Sequence, residues 1–186
     1  IIVVFKPGAL HRLTGIPFRQ LINSVIDLEA VFPKKAREVN YRLSSSDNYE
    51  EMIGIIETFL LDLTANPKLT FRRSDRIFEL MAGNNKNYSL DWLASEACLS
   101  VRQFERKSQD YIGVSPRFFG RIARFNQSYY MSMQGGNPNW LDVSLCCGYH
   151  DYQHLVKDYK EFTGTTPRQF LNEESKTLER ALGLNN

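Results

Sequence analysis

The sequence is poor in cysteine and has no apolar run that is long enough to cross a membrane. No stretch approaches the roughly 18–20 consecutive apolar residues of a membrane span, and no secretory signal is visible. The three cysteines, Cys98, Cys146 and Cys147, have neither CxxC spacing nor a nearby histidine cluster that suggests zinc. We interpret them as small buried residues of a cytoplasmic protein that has no membrane partner.

Catalytic signatures are also lacking. The GxSxG, P-loop, HExxH and dinucleotide-binding patterns do not occur, so we expect a protein that is not an enzyme and carries no cofactor. His150 and His154 are four residues apart, which suits a metal pair. No third ligand is evident in the sequence, so no metal site is predicted.

The composition is that of a folded, globular protein. The 186 residues are 42% hydrophobic and 24% charged, which fits one large domain or two small ones. Residues 1–5 form an apolar run of strand length, and because a lone strand cannot satisfy its backbone groups, we expect its partner strands outside this chain. Apolar spacing predicts helices over residues 18–28, 36–43, 49–63 and 75–81.

From Ser89 onward, serines, threonine and proline mark successive helix starts. Ser89 and Ser100 suit N-caps, while Ser115-Pro116 and Thr166-Pro167 each place a proline at the first helical position, where its missing N–H costs nothing. The predicted helices begin at Leu90 and Pro167 and cover residues 101–111, 116–134, 141–147 and 151–162.

Part of this helical region is an internal sequence repeat. YIGVSPRFF at residues 111–119 returns as FTGTTPRQF at residues 162–170, an offset of 51, whereas Leu93-Ala94 matches Val143-Ser144 at an offset of 50. One residue has therefore been inserted in the turn of the second copy. Each copy, called the first and the second repeat below, is a helix, a tight turn and a second helix.

Two helices joined by a tight turn are typical of helix-turn-helix units, which bind DNA by placing the second helix in the major groove. A plain helical bundle would also contain helix pairs of this kind. The second helices carry outward-facing side chains with hydrogen-bonding tips, and Arg, Gln and Glu are the types that pair with base edges. The outward-facing set is Arg102, Gln103, Glu105, Arg106 and Gln109 in the first repeat, and Tyr152, Gln153, His154, Val156 and Lys157 in the second, where Val156 alone is apolar.

The stretches LASEACLSVRQFERKSQDYIGVSPRFF and VSLCCGYHDYQHLVKDYKEFTGTTPRQF resemble the DNA-binding domain of the AraC/XylS family of bacterial transcription regulators. The resemblance covers about 100 residues. It implies a mainly α fold in which two helix-turn-helix subdomains are joined by a long helix, with a partial α/β remnant before them. The two recognition helices, at about 101–111 and 151–162, would then enter successive major-groove segments about 34 Å apart on one DNA face.

The resemblance also implies residue roles and a domain division. Base contacts would come from Arg102, Glu105, Arg106, Tyr152, Gln153, Val156 and Lys157, in addition to the outward-facing Gln103 and His154. Phosphate contacts would come from backbone N–H groups at helix starts and from Ser100, Lys107, Arg117, Arg121 and Lys160. The domains would be residues 1–71, the end of a sensor or regulatory domain, residues 72–175, the DNA-binding domain, and a tail at 176–186.

One position departs from the family pattern, and two others have an alternative role. Ser108 stands where the family usually has an aromatic residue, so the first recognition helix is expected to pack more loosely. Arg117 and its equivalent, Arg168, have an alternative interpretation, in which they pair with nearby acids or cover the hydrophobic seam.

Charge is distributed unevenly over the predicted regions. Residues 72–124 hold ten basic and six acidic side chains, whereas residues 139–170 hold three and four. Because phosphate neutralisation supplies most of the sequence-independent affinity, we predict that the first repeat dominates affinity and the second tunes specificity.

The resemblance implies as possible partners double-stranded DNA, a small-molecule effector bound by an N-terminal region outside this chain, RNA polymerase, and a second copy of the chain. The apolar helix at 49–63 is the candidate dimer contact, and its alternative is packing within one molecule. Two other functions were weighed: a helical protein-interaction module that binds no DNA, and a DNA-repair methyl-transfer protein, whose zinc-type cysteine spacing is missing here.

Overall fold

The structure, a computed structural model, describes residues 1–22, 24–65, 67–83, 88–134 and 138–181, with side chains described as far as residue 174. The described residues are mainly helical and contain no strand. Eleven α-helices follow one another: α1 Ala9–Thr14, α2 Leu28–Val31, α3 Pro33–Ser44, α4 Tyr49–Ala65, α5 Arg73–Gly83, α6 Leu90–Glu96, α7 Val101–Tyr111, α8 Pro116–Met133, α9 Trp140–Cys146, α10 Tyr152–Thr163 and α11 Pro167–Ala181. None of the described helices is long and apolar enough to cross a membrane.

Local capping explains why the helices from α7 onward begin within one residue of where the sequence predicts. Ser100 and Gln103 form a reciprocal capping box at the start of α7, and the Asp151 side chain accepts a hydrogen bond from the backbone N–H of His154 at the start of α10. After α10, Gly164 has a φ of 78°, a left-handed conformation that costs glycine little. The proline starts of α8 and α11 are also confirmed.

Two predictions concern the front of the chain. Residues 1–5 pair with no other described segment and their side chains are exposed, which leaves the expectation of partner strands outside this chain untested. The helix predicted over 18–28 is replaced by a 3-10 turn at Phe18–Gln20 and the short α2. The Asp27 carboxylate accepts a hydrogen bond from the Glu29 N–H, so α2 has its own N-cap within the predicted helix.

The chain divides into two compact units, Ile1–Glu79 with Asp91–Ser115, and Leu80–Leu90 with Pro116–Asn186. In the first compact unit, the buried rings of Phe104 and Tyr111 from α7 meet Phe78 from α5. The ring centroids of Phe78 lie 5.1 Å from Phe104 and 5.9 Å from Tyr111. The hydroxyl of Ser108 is also buried and donates to the carbonyl oxygen of Val114 at 2.6 Å. Ser108 replaces the family's usual aromatic residue, but its buried hydroxyl has a hydrogen-bond partner. The expected looser packing of the first recognition helix is therefore not seen at this position.

The N-terminal segment packs on the first repeat, within the first compact unit. The His11 ring meets Tyr111 edge-on at a centroid distance of 4.7 Å, and the Arg19 guanidinium lies 3.3 Å from the Asp110 carboxylate. Arg12 reaches the buried carboxylate of Asp75 at 3.5 Å. The end of the first recognition helix is thus held by residues that precede it by about 90 positions in the sequence.

The second compact unit has a core of its own. Trp140, Val143 and Cys147 pack with Leu155 and Tyr159. The Tyr159 ring contacts three other aromatic rings edge-on, and its hydroxyl lies 3.2 Å from that of Ser128 on α8. In the second repeat the recognition helix itself supplies the central aromatic residue, at the position that Ser108 occupies in the first.

Candidate nucleic-acid interface

The two helix turns share one backbone geometry. Cys98 has a φ of 54° and Gly148 a φ of 74°, so both are left-handed and occupy equivalent positions. Just before the second helix, the backbone N–H of Leu99 donates to Ala94 at 2.9 Å, and that of Tyr149 donates to Ser144 at 3.0 Å. The repeat inferred from sequence is therefore a repeat of backbone conformation.

The inserted residue of the second turn is identified by the caps. One residue, Leu99, separates Cys98 from the N-cap Ser100, whereas Tyr149 and His150 separate Gly148 from the N-cap Asp151. Tyr149 is buried and His150 is exposed. His150 is therefore the additional residue, and it stands directly before the second recognition helix.

The first recognition helix, α7, has one buried and one exposed face. Phe104, Ser108 and Tyr111 are buried. Four predicted base-contact side chains are exposed: Arg102, Gln103, Glu105 and Arg106. The sequence prediction of an outward polar face is confirmed for this helix.

Gln103 is more constrained than the sequence indicates. Its Oε1 accepts hydrogen bonds from the Ser100 N–H at 2.9 Å and from the Ser100 hydroxyl at 3.1 Å. Bidentate pairing of glutamine with adenine needs both the amide oxygen and the amide nitrogen. With its oxygen engaged in the capping box, Gln103 presents only the N–H₂ group.

The second recognition helix, α10, presents a mixed face. Gln153, His154 and Lys157 are exposed, whereas Tyr152 and Val156 are half-buried. Tyr152 packs against the core of the second compact unit. Lys157 and His154 line an open cleft that also includes Arg121 and Arg124 from α8.

Of the predicted phosphate-contact residues, Arg121 is the most strongly engaged within the protein. Its Nε and Nη2 donate to Asp158 Oδ1 at 3.0 and 2.7 Å, and its Nη1 donates to Glu161 Oε1 at 3.1 Å. The guanidinium also lies over the rings of Phe118 and Phe162. Hydrogen bonds from Arg121 lower the pKa of the Glu161 carboxyl below its ordinary value.

The other predicted phosphate contacts differ in exposure. Arg117, Lys160 and Ser100 are exposed. Lys107 is half-buried and its Nζ lies 5.3 Å from the Tyr111 ring centroid. Desolvation by burial, followed by the positive charge of Arg72, lowers the pKa of Lys107. A phosphate contact by Lys107 would require its side chain to leave the ring of Tyr111.

Asp151 brings together two histidines that the sequence left as an isolated pair. His154 Nδ1 lies 3.0 Å from Asp151 Oδ1, and His150 Nδ1 lies 3.4 Å from Asp151 Oδ2. The hydrogen bond from the His154 backbone is the main cause of the lowered pKa of the Asp151 carboxyl. The signal in the sequence was the HDYQH pattern, whose Asp also suits the N-cap of α10.

The comparison with protein families matches residues 93–173 to a family described as "Helix-turn-helix domain". A curated relative, the HTH-type transcriptional regulator ArgR of Pseudomonas aeruginosa, is 28% identical over 110 residues. The match covers 59% of this chain and 32% of the relative, so the chain spans about a third of the relative's length.

Two solved structures align with part of this chain, and the first indicates a shared fold over the aligned residues. The DNA-binding domain of AdpA, determined in complex with a target DNA, aligns with a TM-score of 0.50 and 16% identity over 62% of this chain and all of that one. A Chromobacterium violaceum transcriptional regulator of the AraC type aligns with a TM-score of 0.47 and 26% identity, covering 52% of this chain and 87% of that one.

Proposed function

We propose that residues 93–173, which match a helix-turn-helix family, form an AraC-type DNA-binding domain, and that the chain is a sequence-specific DNA-binding regulator of transcription. It acts in the bacterial cytoplasm by binding rather than by catalysis. The recognition helices α7 and α10 each enter a major-groove segment, and the two segments follow one another along the duplex.

The observation that carries this proposal is the exposed polar face of α7, supported from behind by a buried aromatic cluster. Arg102 and Arg106 are exposed one turn apart, with Glu105 beside them. Arginine pairs bidentately with guanine O6 and N7, and glutamate accepts from cytosine N4. A face of this kind recognises G·C pairs, and the N–H₂ group of Gln103 adds a donor for a base acceptor.

The second recognition helix offers a different chemistry. Gln153 is exposed and can pair bidentately with adenine, while Lys157 donates to guanine and half-buried Val156 suits contact with a thymine methyl group. Tyr152 and His154 complete the proposed base-contact set. We therefore propose that the second recognition helix accepts a more mixed sequence than α7.

Phosphate contacts come from the exposed cations Arg117 and Lys160 and from Ser100 at the start of α7. Arg121 reaches phosphate only by exchanging its carboxylate partners, so its main contribution is to the fold of the second compact unit.

The test is a selection of random duplexes bound by the 186-residue chain, followed by titration of the selected duplex by fluorescence anisotropy. We expect G·C-rich specificity in one half of the site, which Arg102→Ala and Arg106→Ala relax at separate positions, each at a cost of about 1–3 kcal/mol. Lys34→Ala, which removes an exposed cation from α3, serves as the control and leaves the selected sequence unchanged.

The alternative, a helical module that binds proteins instead of DNA, gives a different result in the same titration. DNA affinity that comes from phosphate contacts falls steeply as salt is raised. If no duplex binds at low salt, or if binding shows no sequence preference, the proposed function is wrong.

The chain also has a candidate surface for binding a second copy of itself. Ile55, Phe59 and Leu63 of α4 are buried, whereas Tyr49, Ile53 and Leu61 on the same helix are exposed. We propose that this exposed face mediates dimerisation. Sedimentation should show that the parent chain is a dimer and that Ile53→Glu or Ile56→Glu dissociates it. A monomeric parent chain would exclude dimerisation through α4.

The effector and RNA polymerase are proposed as partners on the family resemblance alone. The curated relative is described as a transcriptional regulator, and this chain spans 32% of it. We propose that an effector would act outside the aligned residues.

A further inference from the structure

We propose that His150, Asp151 and His154 form a binding site for a divalent transition-metal ion, with zinc as the expected occupant. The site comprises the last residue of the loop before α10, the N-cap residue and the first turn of the helix. It was created by the residue that distinguishes the second repeat from the first, since His150 is the inserted position and the first repeat has no counterpart to it.

The geometry brings one ligand atom from each residue to one place. The candidate ligand atoms of the three side chains all lie within 4.8 Å of one another. The ligands of a tetrahedral zinc ion, each at about 2.0–2.1 Å from the metal, are separated by about 3.3–3.5 Å. Because the side chains of His150 and His154 are 87% and 62% exposed, small rotations can close this gap without disturbing the core.

The imidazole rings already face one another across the carboxylate. Their centroids are 5.8 Å apart, and Asp151 contacts both rings through different oxygens. Asp151 Oδ1 also accepts from the His154 backbone at 2.8 Å, which fixes the carboxylate in place at the helix start. Because Asp151 Oδ1 is held by the His154 backbone N–H, Oδ2 is the Asp151 oxygen that is left to bind a metal.

The donor set favours a transition metal over magnesium or calcium. Two imidazole nitrogens and one carboxylate oxygen suit zinc, cobalt, nickel or copper, whereas magnesium and calcium prefer oxygen ligands alone. Three protein ligands leave a fourth position for water. Tyr149, which directly precedes His150, belongs to the apolar core of the second compact unit, so the turn that carries the site is anchored by core packing.

The experiment uses the 186-residue chain without an affinity tag, because a histidine tag would bind the same ions. Cobalt is titrated and followed by its visible absorption, and zinc is then added to displace it. The variants are His150→Gln, His154→Gln and Asp151→Asn, the last of which keeps a residue that caps helices well. Asp142→Asn changes another exposed carboxylate of the second compact unit and is the matched control.

We expect one cobalt ion per chain, displaced by zinc, with binding at least tenfold weaker in each of the three variants and unchanged in Asp142→Asn. Circular dichroism should show the same helix content in all chains, since every substituted side chain is at least half-exposed or retains its cap. Equal cobalt binding by the His150→Gln/His154→Gln double variant would overturn the proposal. So would cobalt–thiolate absorption, which would place the ion on exposed Cys98 or Cys146 instead.

Discussion

Arg121 on α8 donates two hydrogen bonds to Asp158 on α10, at 3.0 and 2.7 Å to the same carboxylate oxygen. The Asp158 side chain is 8% exposed and that of Arg121 is 24% exposed, so the pair is largely removed from water. Family resemblance assigns Arg121 to a DNA-phosphate contact. In the structure, Arg121 instead connects α8 to the second recognition helix, α10.

The first prediction concerns the stability that this pair provides. Arg121→Ala leaves a buried carboxylate without its cation, so we expect it to lower the free energy of unfolding of the second compact unit by about 2–4 kcal/mol. The measurement is urea unfolding followed by the fluorescence of buried Trp140 in a Trp92→Phe background.

The control for this prediction is Arg117→Ala, an exposed arginine on the same helix, which should change stability by no more than about 0.5 kcal/mol. In a double-mutant cycle with Asp158→Ala, the loss from Arg121→Ala should shrink, because the uncompensated charge is gone. Equal losses for Arg117→Ala and Arg121→Ala would contradict the structural role.

The second prediction compares two equivalent glycines. Gly113 and Gly164 have φ angles of 87° and 78°, but a Cβ on Gly113 would lie 2.9 Å from Ile22 Cγ1, whereas a Cβ on Gly164 would meet no atom within 4 Å. Gly164→Ala should cost about 1–2 kcal/mol for the left-handed conformation alone. Gly113→Ala should cost about 1–3 kcal/mol more, because it also overpacks against the N-terminal segment.

Circular dichroism during urea unfolding measures both alanine variants. Adding Ile22→Ala to Gly113→Ala should recover part of the loss, since the obstructing side chain is removed. If the two glycine substitutions cost the same and Ile22→Ala recovers nothing, the N-terminal segment does not pack on the first repeat in solution.

The third prediction concerns the strained turn of the first repeat. Cys98 has a φ of 54° and is exposed, and its equivalent in the second repeat is Gly148. We expect Cys98→Gly to raise the free energy of unfolding by about 0.5–1 kcal/mol, because relief of left-handed strain exceeds the added entropy of the unfolded glycine. Thermal unfolding gives the comparison.

Cys98→Ser is the control for this change, because it removes the thiol and keeps the strain. It also weakens the contact from Arg73 Nη1 to the Cys98 sulfur, 2.8 Å in the structure, as Cys98→Gly does. A Cys98→Gly chain that is less stable than Cys98→Ser would show that the turn is not strained.

The fourth prediction ranks the two repeats in DNA binding. Residues 72–124 have ten basic and six acidic side chains, and residues 139–170 have three and four. Arg106→Ala should therefore reduce affinity for the selected duplex more than Lys157→Ala does, in gel-shift titrations at two salt concentrations. A larger loss for Lys157→Ala would reverse the proposed division between affinity and specificity.

The sequence predicted which side chains of α7 are exposed. It was less complete on which of them are held by contacts within the protein. Arg102, Glu105 and Arg106 lie on the exposed face because the period of α7 and its buried Phe104 and Tyr111 fix which way they point. The engagement of Gln103 in the capping box was also present in the sequence, as Ser100 followed three residues later by Gln. The Ser100 cap was predicted from the sequence, whereas the reciprocal hydrogen bond from the Ser100 N–H to Gln103 was not.

The sequence by itself determined the repeat, the helix starts from α7 to α11 to within one residue, and the outward face of α7, because caps, prolines and helical periodicity act over a few neighbouring residues. Only the tertiary structure decided the rest. Arg121 meets a carboxylate 37 positions away, and the ring of His11 meets Tyr111. The apolar spacing over 18–28 predicted a helix, but the segment instead lies partly against Gly113. Contacts of this kind depend on which elements the fold brings together, and that information is not contained in any local pattern.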